Sequence, residues 1–187
     1  MTQSEHHHFK NRRTRVASLA DEYELLADED EAVGRLLLAH NRTKHAAYFF
    51  AQAMEKLLCS HIFRMARGKD LRGLRMRVAH HKLDELVDEF VEVCLPSRSV
   101  DDLVSAQIRD QIVLHVLQGL RFGDLQNDLR YPDFERYGNK FGILEVNANE
   151  ADFLLGRLEA LRKFVKETYR ARSSGPNPAG STGRAMR

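Results

Sequence analysis

The chain has 187 residues, a formal net charge of +2 and 43% hydrophobic residues, which fits one ordinary globular domain with short tails. The charge is uneven along the chain, because residues 1–15 sum to about +3 and residues 170–187 to about +4. The intervening residues 16–169 therefore carry about −5. This layout excludes a uniformly basic protein that binds nucleic acid over its whole surface.

The cysteines and the hydropathy pattern indicate a cellular compartment. Cys59 and Cys94 both lie in apolar helical settings, which is typical of reduced core thiols in a cytosolic protein. No apolar run approaches the roughly 20 residues needed to span a bilayer. The polar, His-rich N-terminus does not have the pattern of a signal peptide. We therefore expect a cytoplasmic protein without membrane contact.

The first helical pattern follows a polar tail, residues 1–15, that we expect to be flexible. Its apolar residues recur three or four apart, as on one face of a helix. The acidic run at residues 28–31 then suits the first turn of a helix, where the macrodipole favours negative charge. The sequence leaves open whether residues 16–40 form one long helix or two shorter ones.

The most apolar helical segment, Thr43 to Arg67, predicts the centre of the fold. Its core-type residues recur at helical spacing, and additional aromatic side chains leave little polar surface. A helix this apolar must be covered on several sides, so we expect it to be the central member of a bundle. Thr43 is a candidate N-cap. A few polar residues either lie close to the core or mark a solvent edge: Gln52, Glu55, Lys56 and His61.

Three further helices are predicted, over residues 80–94, 100–120 and 149–171. Before the last of them, residues 121–147 contain glycines, Pro132 and several aromatic residues but no helical period. We therefore predict a long irregular segment there.

The fold class is predicted to be all-α, an antiparallel bundle of four or five helices over residues 16–172. The only weak candidate for a strand is Phe141 to Val146. The basic, Pro- and Gly-containing residues 173–187 are expected to be disordered.

The strongest local charge signal runs from residue 64 to residue 82 and sums to about +6. It spans a helix end, a connector and the start of the next helix, and cations beside a helix N-terminus suit a phosphate group. The alternative is that these arginines neutralise the acidic face of the predicted helix at residues 80–94 and the acidic run at residues 28–31. The basic residues of this cation-rich segment are Arg64, Arg67, Lys69, Arg72, Arg75, Arg77 and Lys82.

Three separated stretches, AAYFFAQAMEKLL at residues 46–58, HKLDEL at 81–86 and RYPD at 130–133, resemble motifs of the HEPN domain family. Residues 46–58 (AAYFFAQAMEKLL) resemble the small and aromatic residues, Gln, Glu-Lys and Leu of that family's second helix. Residues 81–86 (HKLDEL) are similar to its His-x-Leu-x-x-Leu at the start of the third helix. Residues 130–133 (RYPD) are similar to its Arg-Tyr-Pro segment before the last helix. Order and spacing agree, and the resemblance covers about residues 17–171.

This resemblance implies a helical bundle that commonly forms homodimers and works in RNA cleavage, nucleotide binding, toxin–antitoxin pairs or antiphage defence. Active ribonucleases of the family pair an Arg with a His four to six residues further on, contributed by both chains of a dimer. The chemistry is reasonable, since His can move protons at a 2′-hydroxyl and Arg can stabilise a charged phosphorane. Four such spacings occur here, a number that chance supplies: Arg35/His40, Arg75/His80, Arg75/His81 and Arg109/His115.

The position of each pair must therefore decide between them. The pair on the first helix lies outside the place where the family keeps its motif. His115 falls on the apolar stripe of the fourth helix, so we expect it to be a buried structural residue. Arg75 with His80 or His81 flanks the start of a helix, which is a freer geometry.

We therefore expect a HEPN-like, homodimeric module that contacts RNA or nucleotide phosphate and, if it is an enzyme, acts as a metal-independent endoribonuclease. The alternative is a non-catalytic module that pairs with a nucleotidyltransferase-like or other protein. No P-loop, Gly-x-Gly-x-x-Gly or Cys-x-x-Cys pattern occurs, so no metal and no cofactor are expected. The expected catalytic residues are Arg75, His80 and His81, and the expected phosphate or RNA contacts are Arg64, Arg67, Lys69, Arg72, Arg77, Arg130 and Tyr131.

Overall fold

A computed structural model of the chain describes residues 18–66, 73–74, 78, 83–94, 102–118, 129–130 and 144–173. Within these residues the fold is an all-α bundle, as the sequence predicts. The helices are α1 (Leu19–Ala39), α2 (Thr43–Met65), α3 (Leu83–Cys94), α4 (Asp102–Asp110), which continues as a π-helical stretch (Gln111–Val116), and α5 (Ala148–Ser173). None of these helices is long and apolar enough to cross a membrane.

The first helix is one continuous element, which settles the alternative that the sequence left open. Ser18 caps its N-terminus, because the Ser18 hydroxyl accepts a hydrogen bond from the Asp21 backbone N–H at 3.2 Å. The acidic run 28–31 lies in the middle of α1 and not at a helix start. Three of its four carboxylates pair with cations of neighbouring helices, so the run does not interrupt the helix.

The central helix is α2, and fifteen of its 23 residues are buried. No single face of a helix could hold that many, so α2 is covered from several directions. Helix α1 packs antiparallel to it, since Tyr23 stacks on Phe63 with ring centroids 5.5 Å apart while Gly34 lies against Phe50. Helices α5 and α3 also pack against α2.

The N-terminus of α2 differs from the prediction. Arg42 is the N-cap residue and its side chain makes no capping hydrogen bond. Thr43 is the first helical residue, and its hydroxyl donates to the carbonyl oxygen of Val146. Thr43 therefore ties the start of α2 to the segment that leads into α5, where Asn147 and Glu150 hydrogen-bond each other's backbone N–H groups as a capping box.

Helix α4 changes from α-helical to π-helical winding at Gln111. The Leu117 N–H donates to the carbonyl oxygen of Ile112 at 2.8 Å, a bond five residues long that defines a π-helix. Because a π-helix holds more residues per turn, each side chain after Ile112 is rotated away from its α-helical position. His115 is therefore exposed, and the expectation of a buried structural His115 is wrong.

Several predicted features lie outside the described residues. They are the tail at residues 1–15, most of the irregular segment 121–147 and nearly all of the basic C-terminal residues. Residues 144–147, the described part of that irregular segment, have neither helical nor strand structure.

Gly34 of α1 lies close against the ring of Phe50 in α2. A Cβ atom added at Gly34 would lie 2.6 Å from Cε1 of Phe50, a ring that is fully buried. At that distance the helices can pack only because residue 34 has no side chain. Gly156 in α5 is the opposite case, since a Cβ there would meet nothing within 4 Å.

We expect Gly34→Ala to lower the free energy of unfolding by about 1–3 kcal/mol, because the methyl group must displace a buried ring. The matched control, Gly156→Ala, should raise it by about 0.5–1 kcal/mol, because alanine is the better helix former. Urea unfolding followed by circular dichroism at 222 nm measures both values. Equal stabilisation by the two substitutions would contradict the close packing of α1 on α2.

Candidate functional site

Two of the ten predicted site residues, Arg64 and Arg130, lie within the described part of the chain. The predicted catalytic residues Arg75, His80 and His81 lie outside it. The same holds for the remaining predicted contacts: Arg67, Lys69, Arg72, Arg77 and Tyr131.

Arg64 lies near the C-terminus of α2 and forms ion pairs with two carboxylates of α1. One guanidinium nitrogen, Nη2, is 3.0 Å from Asp21 Oδ1 and 2.6 Å from Glu24 Oε2. Partial burial disfavours the charged guanidinium, but the hydrogen bonds to Glu24 and Asp21 outweigh it and raise the pKa of Arg64. Arg64 is therefore paired within the bundle, but with Asp21 and Glu24 of α1 and not with the 28–31 run or the acidic face of α3 that the alternative named.

Arg130 is exposed and contacts an aromatic ring of α2. Its guanidinium carbon lies 5.4 Å from the ring centroid of Tyr48, which is a cation–π distance. The neighbouring Leu129 lines a cavity of about 200 Å³. That cavity is otherwise lined by apolar side chains and by the carboxylates Glu145 and Glu150, a setting that disfavours a phosphate group.

The structure does not bring Arg64 and Arg130 together. Arg130 lies on Tyr48, near the start of α2, whereas Arg64 is sixteen residues further along the same helix. At 1.5 Å per residue this is a separation of about 24 Å along the axis. The two arginines therefore do not share one cleft.

The other arginine–histidine spacings do not form paired sites either. Arg35 bonds Glu31 and Glu159 and thereby links α1 to α5, while His40 Nδ1 lies 2.9 Å from the Leu36 carbonyl oxygen. Arg109 bonds Asp88 of α3, and His115 is exposed on the π-helical stretch. Each of these arginines thus pairs with a carboxylate of the bundle.

Helix α2 carries buried polar side chains to which the sequence assigned no catalytic or binding role. Of the four polar residues that the sequence placed either near the core or at a solvent edge, Glu55 and His61 are buried, whereas Gln52 and Lys56 are half-buried. Ser60, which the sequence did not single out, is buried as well. His61 Nδ1 lies 3.1 Å from the Leu57 carbonyl oxygen, so this nitrogen carries the proton and donates. Burial lowers the pKa of His61 and keeps its ring neutral.

Burial also determines the pKa of the neighbouring thiol of Cys59. Burial is the largest cause and the negative charge of Glu55 is the second, and together they raise the pKa of Cys59 to about 12. A thiol with so high a pKa is an inert core group, in agreement with the predicted role of Cys59. Among the described residues, no three His, Cys, Asp or Glu side chains converge to hold a metal ion.

Comparison of the chain with known proteins gives no match among family models, curated proteins or solved structures.

We expect Arg64→Gln to lower the free energy of unfolding by about 1–2 kcal/mol, because it removes two charge-assisted hydrogen bonds from a partly buried site. Arg109→Gln is the matched control, since both members of its ion pair are more than half exposed and its loss should cost less than about 0.5 kcal/mol. Urea unfolding at low ionic strength measures the difference. Equal losses in the two variants would show that the Arg64 pairs do not fix the end of α2.

The buried His61 predicts a specific loss of stability in mild acid. Its pKa is lower in the folded than in the unfolded chain, so the unfolded chain binds the proton first as pH falls below about 6.5. This contribution to stability is complete above that pH and declines below it, by at most about 1.4 kcal/mol per pH unit. The charged groups that act on His61 are Arg64, Glu24 and Arg162.

Unfolding free energies between pH 7 and pH 5 should therefore fall more steeply for the natural chain than for His61→Met. Methionine fills a similar space and does not titrate. The carboxylates with lowered pKa, Asp21 and Glu31, act at lower pH and are common to both proteins. Identical pH profiles would contradict a buried, neutral His61.

Proposed function

We propose that the chain is a HEPN-like helical module that contacts RNA or nucleotide phosphate through residues 67–82. The observation that carries this proposal is the anchoring of Arg64. The cation-rich segment leaves α2 from a helix end that is held by two ion pairs. With Arg64 committed to the bundle, the remaining residues 67–82 still carry six cations against Asp70, for about +5.

Arg64 has a positioning role in this proposal, whereas the sequence pattern had assigned it a direct phosphate contact. Arg130 is likewise committed to Tyr48, beside an apolar cavity with two carboxylates. Contacts with RNA or phosphate stay proposed for Arg67, Lys69, Arg72 and Arg77. Tyr131 lies outside residues 67–82 and next to Arg130, so its predicted contact is not part of this proposal.

A catalytic version of the proposal is metal-independent RNA cleavage. In it, His80 or His81 moves the proton of the attacking 2′-hydroxyl and Arg75 stabilises the negative charge that develops on phosphorus. The resemblance to the HEPN family implies that both chains of a homodimer would supply these groups.

A labelled single-stranded RNA of 20 nucleotides tests the phosphate contact by fluorescence anisotropy over a range of KCl concentrations. The triple variant Arg72→Gln, Arg75→Gln, Arg77→Gln should bind more weakly and should lower the slope of log affinity against log salt by about 2, because three phosphate contacts are lost. The control triple variant carries Arg109→Gln, Lys163→Gln and Lys166→Gln, which remove exposed cations of α4 and α5. Equal losses in both triple variants, or no binding by the natural chain, would contradict the proposal.

The same RNA, incubated without metal in the presence of a chelator, tests the catalytic version. Cleavage by the natural chain that is lost in the double variant His80→Ala, His81→Ala supports it. Undiminished cleavage by the double variant eliminates it. Salt-sensitive binding without cleavage favours a binding module that is not an enzyme.

The second candidate is a non-catalytic module that pairs with a protein, such as a nucleotidyltransferase-like partner. One observation favours it, which is the exposed surface of α1. That surface combines large apolar side chains with carboxylates, and the phosphate proposal assigns it no role.

A further inference from the structure

Helix α1 has a second apolar face that points away from the bundle. Leu25, Leu26, Val33 and Leu36 are 44%, 37%, 39% and 61% exposed. With 3.6 residues per turn, these side chains fall within one sector of about 120° together with two exposed glutamates and an exposed alanine. We call this sector the acidic–apolar face, and its residues are Glu22, Leu25, Leu26, Glu29, Ala32, Val33 and Leu36.

The two glutamates lie along the middle of this face. Glu22 and Glu29 are seven residues apart, which places them almost directly in line two turns apart. The apolar side chains lie on both sides of that line, with Leu25 and Leu36 on one side and Leu26 on the other. A partner that covers the face must therefore satisfy both carboxylates while it buries the leucines.

The seven acidic residues of α1 form two groups, which differ in whether they pair with cations of the bundle. Five of them pair with cations of the bundle: Asp21 and Glu24 with Arg64, Asp28 and Glu31 with Arg162, and Asp30 with Lys56. Within the described part of the chain, the remaining two, Glu22 and Glu29, have no ion pair. The described bundle therefore does not use these two charges, and they remain available beside exposed leucines.

The charge of the face decides which kind of partner can cover it. RNA and anionic lipid are repelled by two carboxylates that have no cation between them. A second copy of the chain would bring four glutamates into one interface, since a two-fold pairing places the same face on both sides. The single basic residue of α1, Arg35, lies outside the face and already bonds Glu31 and Glu159.

We propose that the acidic–apolar face docks a protein partner through a basic amphipathic helix. That helix presents two lysines or arginines, seven residues apart, to Glu22 and Glu29. Its aliphatic residues, three and four apart, pack on the exposed leucines and Val33 on either side. Helix-on-helix packing uses this spacing, and the opposite charges set orientation and speed association.

The size of the face sets the size of the partner segment. From Glu22 to Leu36 the face is about 21 Å long, so one helix of four turns covers it. An interface of one helix lies at the small end of specific interfaces, so micromolar affinity is expected.

This inference does not rest on the phosphate proposal, because it uses a different helix and the opposite charge. It specifies which kind of protein segment would bind if the second candidate function is correct. The two proposals fail separately: substitutions on α1 should leave RNA binding unchanged, and the Arg72, Arg75, Arg77 triple variant should leave peptide binding unchanged.

The test uses the full chain and two fluorescein-labelled 14-residue helical peptides, one built from leucine and lysine and the other with glutamate in place of lysine. The leucine–lysine peptide should bind with micromolar affinity at 50 mM salt and the leucine–glutamate peptide at least tenfold more weakly. The variant Glu22→Lys, Glu29→Lys should lose at least tenfold in affinity for the basic peptide. Leu25→Gln, Leu36→Gln should lose a similar factor and keep the salt dependence.

The matched control is Asp152→Lys, Glu167→Lys, which makes the same charge change at exposed positions of α5. It should change the affinity for the basic peptide less than twofold. Helix content and melting temperature are measured for all variants, and a lysine variant that loses either is replaced by its glutamine equivalent at the same positions.

Four results would overturn the proposal. They are no binding of the basic peptide, equal losses in the α1 and α5 variants, a wild-type dimer in sedimentation equilibrium that Leu25→Gln, Leu36→Gln dissociates, and tighter peptide binding after Arg184→Gln, Arg187→Gln. The third assigns the face to a second copy of the chain, and the fourth to the chain's own basic end.

Discussion

The contact between α1 and α2 is the constraint on which the rest of the structure depends. Phe50 occupies the space that Gly34 leaves open, and Tyr23 stacks on Phe63 three turns away from that contact. With α1 held in this register, its carboxylates reach Lys56 and Arg64 of α2 and Arg162 of α5. The apolar packing thus determines which charges can meet, and the ion pairs then link the three helices.

That arrangement explains why the two surfaces of functional interest have opposite chemistry. The acids that face the bundle neutralise the cations of α2 and α5, including Arg64 at the start of the cation-rich segment. The two acids that point outwards, Glu22 and Glu29, remain with four exposed apolar side chains. One end of α2 therefore leads into a basic segment, while the outer side of α1 is acidic and apolar. The proposed contacts with an anion and with a basic protein therefore use separate surfaces.

The sequence predicted the fold class and the central helix well, because both depend on the distribution of apolar residues. The stripe of α2 is so wide that only burial on several sides satisfies it, and the predicted limits differ from the observed ones by two residues at one end. The acidic run at residues 28–31 was ambiguous because its partners, Lys56 and Arg162, are distant in sequence. The exposure of His115 could not be predicted, since the π-helical stretch changes the period on which the argument relied.

The candidate site was less predictable than the fold. A run of cations indicates a phosphate contact only if the cations do not already bind other side chains of the protein. Arg64 pairs with a carboxylate of α1, and Arg130 lies over the ring of Tyr48. The acidic–apolar face was missed because Leu26, Val33 and Leu36 read as ordinary core positions until α1 is known to be covered on its other side. A helix with more apolar positions than one neighbour can bury is the signal that could have found it.

Native-state hydrogen exchange of the α2 amides tests most directly whether the wrapping of this helix holds the structure together. We expect the amides from Phe50 to Ile62 to exchange only through global unfolding, with the highest protection of any described helix and with a free energy of opening equal to that of urea unfolding. Protection of α2 below that of α5, or opening of α2 at a free energy well below the global value, would show that α2 is not the element that holds the bundle together.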